Sequence, residues 1–424
     1  MKKLITILLT SLFILYNTSP AVKSIEAPPV VSADSVVLLD ATTGKILYEK
    51  NKDSAYPPAS TTKIMTILLV LENLKLNDVV TVSKNAAATD GSRIYLVEGE
   101  KLSVKELLYG LILASANDCA VALAEHVSGS TKQFATLMNK RADSLGCKNT
   151  NFVNPNGLYD VNHKTSAYDL SLIMQELTKY SDYNKISTTS SYNMAVTNKS
   201  KEKRPLWNEN RLIQKEDQYY YTGCKGGKTG YTIQSQHSYI ALADRNGQKL
   251  IVALIHDSKK TFFTDSRKLL DYGFNNFELN KQFNKNDIVS KLTLDDGTVL
   301  PLLASKDLYT VKVKKSTLAP TVKIEQNKID LSSIKKGSLI SKSVITLGKD
   351  SYTLGLSSGI NYTKKIPSIK NRIPKTSITY SLLINIIKYL VPMLLLLFLF
   401  IRANKKKIRR RKKLHNFIRN LNNK

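Results

Sequence analysis

Apolar positions along the chain change texture several times. Residues 36–39 and 46–48 are short apolar runs on either side of the polar turn Asp40-Ala41-Thr42-Thr43-Gly44, a pattern that predicts a β-hairpin. A rigid loop, Tyr56-Pro57-Pro58-Ala59-Ser60, follows it, and residues 61–71 are then apolar on most faces, as a buried helix would be. Ser103-Val104-Lys105-Glu106 is a Ser-x-x-Glu capping box that starts a second helix toward Ala114. Helical periodicity continues through residues 121–127, 134–145 and 167–177. Strand texture returns at 239–243 and 250–255, which flank the hairpin signal Asn246-Gly247, and residues 264–272 read as an amphipathic helix. Strands thus lie at both ends of a segment whose middle is helical. From about Asn280 the pattern shifts to short alternating stretches at 310–314, 322–325, 344–347 and 352–356, which predicts a separate, small all-β domain.

The two ends have a different character. Lys2 and Lys3 precede an apolar run from Leu4 to Tyr16 and then small and polar residues, the anatomy of a secretory signal at residues 1–24. Residues 378–401 are mainly apolar, long enough to span a bilayer as a helix, which needs about 20 residues. Residues 402–424 follow with eleven Lys or Arg and no acid, the mark of a cytoplasmic flank. The expected order is signal 1–24, catalytic domain 30–277, small β domain 280–366, linker 367–377, transmembrane helix 378–401 and basic tail 402–424. The bulk of the protein would stand outside the cell membrane, with membrane lipid contacted by the C-terminal helix and tail. The formal charge of +29 on 424 residues suits work near an anionic membrane or wall, and export argues against nucleic acid as a partner. Three cysteines, Cys119, Cys147 and Cys224, are too few and too irregular for a disulfide framework. Five histidines form no His-Glu-x-x-His or comparable set, so neither a metal nor a cofactor is expected.

One stretch supports two opposed readings. Gly223-Cys224-Lys225-Gly226-Gly227-Lys228-Thr229-Gly230-Tyr231-Thr232 looks like a loop that cradles nucleotide phosphates, or like a strand edge that grips a carboxylate. A phosphate loop needs Gly-x-x-x-x-Gly-Lys-Ser/Thr, and position 222 is Thr222, so the match fails by one residue. The strand-edge reading gives Lys228 and Thr229 a carboxylate to bind, while Gly230 lets a ligand's backbone approach. Ser60-Thr61-Thr62-Lys63 places a hydroxyl and an amine one helical turn apart, on one face. A lysine can take the serine's proton only when neutral, a state that desolvation or a second cation favours. Ser115-Ala116-Asn117 follows the second helix at a break in periodicity; taken singly it reads as a C-terminal cap.

Each signal is weak alone. Ser-x-x-Lys, Ser-x-Asn and Lys-Thr-Gly in that order within one domain-sized region are strong together. The chain here resembles the low-molecular-mass penicillin-binding proteins of the D-alanyl-D-alanine carboxypeptidase family. The likeness extends to Asp40-Ala41-Thr42-Thr43-Gly44, Ser115-Ala116-Asn117-Asp118, Asn154-Pro155-Asn156-Gly157-Leu158, Asn208-Glu209-Asn210 and Leu269-Leu270-Asp271-Tyr272-Gly273-Phe274. It implies an α+β fold: a β-lactamase/transpeptidase-like catalytic domain, with an antiparallel sheet flanked by helices and a helical subdomain, then a small all-β domain and a transmembrane helix. It also implies roles. Ser60 would attack the bond between the terminal D-alanines of a peptidoglycan stem pentapeptide, with Lys63 as general base. Ser115 would relay a proton to the leaving D-alanine, and Asn117 would orient Lys63 and a substrate amide. Lys228 and Thr229 would hold the terminal carboxylate beside Gly230, and the backbone N–H groups of Ser60 and Tyr231 would hold the oxyanion. β-Lactam antibiotics would acylate Ser60. Three positions depart from the pattern. Asn156 stands where relatives often have His, Lys225 where acids are common, and Phe262 where several carry an arginine, so carboxylate binding rests more on Lys228 and Thr229.

Three rivals follow from the same residues. A class A β-lactamase needs a Glu-x-x-Leu-Asn segment between Asn117 and Lys228, and Glu176-Leu177-Thr178 comes nearest without matching. An idle wall-binding protein has no need of all six polar motif residues. An endopeptidase acting on D-alanyl cross-links would use the same site.

Overall fold

The computed structural model describes residues 27–325, 333–364 and 380–421; the expected signal and the 367–377 linker lie outside them. The chain divides into two units, Met1–Tyr362 and Thr363–Lys424.

In the first unit the predicted hairpin is present as β1 (Ser35–Asp40) and β2 (Ile46–Lys50). Strands β3 (Cys224–Thr232), β4 (Gln236–Arg245) and β5 (Gln248–Asp257) join them in an antiparallel sheet of order β2-β1-β5-β4-β3. The Asn246-Gly247 turn between β4 and β5 has both residues at positive φ, 53° and 84°, as a tight hairpin of matching twist requires. Successive strand residues face opposite sides, and this sheet is covered on both. Val37, Leu39, Ile240, Leu242, Ile251 and Ala253 pack against the helical body. Their neighbours Val36, Leu38, Ala241, Ala243, Leu250 and Val252 pack against Leu269, Leu270 and Phe274 of a C-terminal helix.

The helical body comprises α1 (Lys63–Asn73), α2 (Val104–Leu113), α3 (Asn117–Ser128), α4 (Thr131–Ser144) and α5 (Ala167–Leu177); the C-terminal helix is α6 (Phe262–Asn276). Serines cap three of these: Ser103, Ser130 and Ser166 each accept the backbone N–H three residues on. In the Ser103 box, Glu106 accepts the Tyr192 hydroxyl at 2.5 Å, so its carboxylate ties α2 to a neighbouring segment.

Between α6 and residue 364 the elements among the described residues are all strands, as the alternation predicts. β6 (Phe277–Phe283) pairs with β9 (Leu308–Val313). A five-stranded sheet combines β7 (Ile288–Thr293), β8 (Val299–Ala304), β12 (Asp350–Ser358), β11 (Leu339–Leu347) and β10 (Thr321–Ile324), in that spatial order.

Among its described residues the second unit carries one helix, α7 (Tyr380–Leu421). Its Ile384–Lys413 stretch is long and apolar enough to cross a membrane. The helix does not stop at Ile401 but continues through the basic segment, since Lys and Arg are good helix formers and no glycine interrupts them.

Candidate active site

Ser60 sits in a single 3₁₀ turn, Ala59–Thr62, that runs straight into α1. The preceding Ala59 is held at φ 49°, a left-handed conformation that non-glycine residues rarely adopt and that sets the serine at a sharp corner. Lys63, the first residue of α1, is fully buried. Its Nζ lies 2.8 Å from Ser60 Oγ, 2.7 Å from Asn117 Oδ1 and 2.6 Å from the Asn156 carbonyl oxygen. A neutral amine has two N–H groups and one lone pair. Asn117 Oδ1 and the Asn156 carbonyl can only accept, so they take the two N–H groups and leave the lone pair for the Ser60 hydroxyl. Burial, and then the charge of Lys228, hold the Lys63 pKa well below its usual value. Geometry and electrostatics therefore both favour a neutral Lys63 amine whose third contact is the Ser60 hydroxyl.

Asn117 is the first residue of α3, and its amide is oriented by Nδ2 donating to the Asp90 carbonyl at 2.7 Å. The loop carrying Asp90 is itself fixed. Asp118 accepts the backbone N–H groups of Ile94 and Leu96 at 3.1 and 3.0 Å. Ser115, two residues before Asn117, is buried at φ 56° in the link between α2 and α3. That link is a left-handed corner between the two helices.

The glycine-rich stretch is β3, the edge strand of the main sheet, rather than a loop of the kind that cradles nucleotide phosphates. β3 runs directly against the Ser60 turn: a Cβ on Gly230 would lie 2.8 Å from Ser60 N and 3.0 Å from the Pro58 carbonyl oxygen. Only glycine permits that approach. Lys228 is buried, with Nζ 2.9 Å from the Thr229 carbonyl oxygen. Its pKa is lowered by burial and partly restored by Glu209. Tyr231 projects into solvent, its ring stacked on His237 at 4.5 Å. The structure thus brings Ser60, Lys63 and Asn117 into direct contact and seats Lys228–Tyr231 beside them. Ser115 joins through its place in the chain, with no hydrogen bond to Lys63.

Comparison with known proteins gives this geometry its context. Residues 22–259 match the D-alanyl-D-alanine carboxypeptidase family, more than half of the chain. The chain belongs to that family. The D-alanyl-D-alanine carboxypeptidase DacF of Bacillus subtilis is 40% identical over 271 residues, 62% of this chain and 68% of that protein. DacA of Haemophilus influenzae is 30% identical over 339 residues, 76% of this chain and 83% of that one. Penicillin binding protein 5 from Haemophilus influenzae has a similar fold, with a TM-score of 0.69 at 29% identity over 80% of this chain and all of that structure.

Three parts of this carboxypeptidase-family site, the Asn156-Gly157 loop, His163 and Glu209, make contacts that the sequence motifs do not disclose. Asn156 contributes its backbone carbonyl to Lys63, an interaction indifferent to side-chain type, while its Oδ1 accepts the N–H of Leu158. Gly157, at φ 85°, has no room for a Cβ, which would fall 1.9 Å from the Ala59 carbonyl oxygen. His163 is buried behind the Ser60 turn. Val153 N–H donates to its Nδ1 at 3.0 Å, so Nε2 bears the proton and donates to Thr62 Oγ1 at 2.8 Å. Burial pushes its pKa down to about 4 and keeps the ring neutral. The third is Glu209, whose carboxylate accepts the Thr229 hydroxyl at 3.3 Å and lies 3.6 Å from Lys228 Nζ. Glu176, the residue nearest to a β-lactamase deacylation glutamate by sequence, is instead paired with Arg141 and Lys179 at 3.2 and 2.5 Å.

Proposed function

We propose that this protein is a serine-type D-alanyl-D-alanine carboxypeptidase that removes the terminal D-alanine from peptidoglycan stem pentapeptides. The observation that carries the reading is the Lys63 amine, dehydrated and held by two acceptors with its lone pair free for Ser60. In the first half-reaction Ser60 Oγ attacks the carbonyl of the penultimate D-alanine and Lys63 takes its proton. The tetrahedral oxyanion lies between the backbone N–H groups of Ser60 and Tyr231, within reach because β3 abuts the nucleophile turn. Lys228 and Thr229 hold the terminal carboxylate. Collapse breaks the peptide bond; Ser115 gives its proton to the departing amine and is reprotonated by Lys63, which is neutral again as D-alanine leaves. Water, deprotonated by Lys63, then cleaves the ester and restores the Ser60 hydroxyl. A β-lactam follows the first half of this path and stops there, because its ring-opened fragment stays attached and no second carboxylate activates water.

The test is incubation of the full-length protein in detergent with a pentapeptide ending in D-alanyl-D-alanine, with free D-alanine assayed. Ser60→Ala should lower release by at least about 10³-fold and abolish covalent labelling by penicillin, at an unchanged melting temperature. Release retained by the variant would remove Ser60 as nucleophile.

Localisation follows from the same chemistry. α7 anchors the protein as a single-pass helix in the cell membrane, with the basic end cytoplasmic and the catalytic body outside, where peptidoglycan is. Protease added to intact cells should digest the body and spare an epitope tag placed after Lys424; protection of the body would reverse the orientation.

A further inference from the structure

The carboxylate subsite already holds a carboxylate. A single oxygen of Glu209, Oε2, accepts the Thr229 hydroxyl at 3.3 Å and stands 3.6 Å from Lys228 Nζ. These are the two side chains that the substrate's terminal carboxylate would use. Lys228 is buried, so its ammonium has few other counter-charges, and Glu209 is also the largest favourable charge acting on Lys63. The backbone of Glu209 is rigid. Its N–H donates to the Leu113 carbonyl at 3.1 Å, at the end of α2 just before Ser115. On one side Asn208 Nδ2 donates to the Ser187 and Thr189 carbonyls, both at 3.0 Å; on the other Asn210 Oδ1 accepts the Tyr239 hydroxyl at 2.6 Å. The side chain has more freedom, being 46% exposed. It opens on a cleft of about 540 Å³ that Arg93, Lys203 and Trp207 also line, so a displaced carboxylate has solvent and two cations to turn to.

We propose that Glu209 is a specificity-determining residue, an internal carboxylate that occupies the Lys228–Thr229 subsite in the free enzyme and competes with the carboxylate of the incoming D-alanyl-D-alanine end. The inference rests on the carboxypeptidase reading above. Its physical basis is simple. Two carboxylates cannot share one buried ammonium and one hydroxyl donor without repulsion, so a substrate that brings a carboxylate must first displace Glu209. A substrate with a neutral end does not face that competition. Glu209 therefore lowers the advantage that a free carboxylate terminus would otherwise have, and it keeps Lys228 compensated between turnovers.

The experiment compares the wild type with Glu209→Gln and Glu209→Ala on two peptides, one ending in D-alanyl-D-alanine and the other in its C-terminal carboxamide. The readout is the ratio of kcat/KM for the acid to that for the amide. Both variants should raise this ratio by about five- to tenfold, chiefly through a lower KM for the acid, as expected for removing one partly exposed like charge. Acylation by benzylpenicillin, which carries a carboxylate of its own, should quicken in the same direction. If Glu209 only serves as a counter-ion that holds Lys228 in place, the variants will raise KM for the acid and leave the ratio unchanged or lower; that result overturns the assignment. Using Ala beside Gln separates loss of the competing charge from a new hydrogen bond donated by the glutamine. A wild-type enzyme that releases no D-alanine would defeat the carboxypeptidase reading. Turnover by the wild type with an unmoved ratio in both variants would defeat the role of Glu209 alone.

Discussion

The catalytic body and the β region beyond Phe277 share one chain and one unit, yet they bury different things. The body buries ionisable groups: Lys63, Lys228, Glu100 and Asp118 are all nearly inaccessible. In the β region the buried polar groups are Thr310, Ser341, Ser343, Ser357 and Ser358, hydroxyls only among the described residues. The two apolar clusters of the body cover both faces of its sheet, whereas those of the β region have, among the described residues, five and four buried members. A buried charge is costly unless paired and hydrogen-bonded, and only a large surrounding core can hold its partners in place. The body has that core. The β region lacks it, and what it offers the body is support: Lys45 reaches Asp350 at 2.5 Å and the Val311 carbonyl at 3.2 Å. The lesson is that chemistry in this protein follows where partners can be fixed, and the difference can be broken by substitution.

The largest expected effect is at the tightest point of the body. Gly157→Ala would place a methyl group 1.9 Å from the Ala59 carbonyl oxygen at a φ of 85°, against the turn that presents Ser60. It should cost at least about 4 kcal/mol in stability, with loss of D-alanine release, measured by denaturant unfolding and assay. Normal stability and rate would show that the turn yields freely.

His163 gives the next effect, read by pH. Its folded pKa is about 4 against 6.5 for the free side chain, so between those values the unfolded chain binds a proton that the folded protein refuses. Stability is therefore intact above pH 6.5 and falls as pH drops toward 4, by as much as about 3 kcal/mol. His163→Asn should flatten that limb of the stability profile; an unchanged slope would assign acid sensitivity elsewhere. The smallest effect is the counterpart of the first. Gly297→Ala, in the β region, also has positive φ, 81°, but nothing lies within 4 Å of the added methyl. It should cost only about 1 kcal/mol, from the backbone conformation alone, and leave turnover untouched. A cost equal to that of Gly157→Ala would erase the contrast between the regions.

Much of the architecture was legible in the chain because it is locally encoded. Apolar runs gave the hairpin, the helix after Ser60 and the strands around Asn246-Gly247, and α5 begins and ends where periodicity puts it. The extent of α7 was less legible: a change in polarity at Ile401 is not a change in helix propensity, and the helix continues. Of the site, the motif residues could be read because each carries a distinctive functional group. The Asn156 carbonyl could not, since every residue has one. Glu209 stood in view within Asn208-Glu209-Asn210, but nothing in its neighbours along the chain tells that its carboxylate meets Lys228.

The sequence by itself determined which segments are helix or strand and which side chains could supply a nucleophile, a base and a carboxylate grip. Short-range sterics and hydrophobic periodicity suffice for the first, and side-chain chemistry for the second. Tertiary structure alone decided that Ser60, Asn117, Asn156 and Gly230 converge, that Lys63 sits among groups that strip it of water, and that the Glu209 carboxylate meets Lys228 and Thr229. Those outcomes depend on dielectric and distance, which are set by segments far apart in the chain and exist only once the core has closed around them.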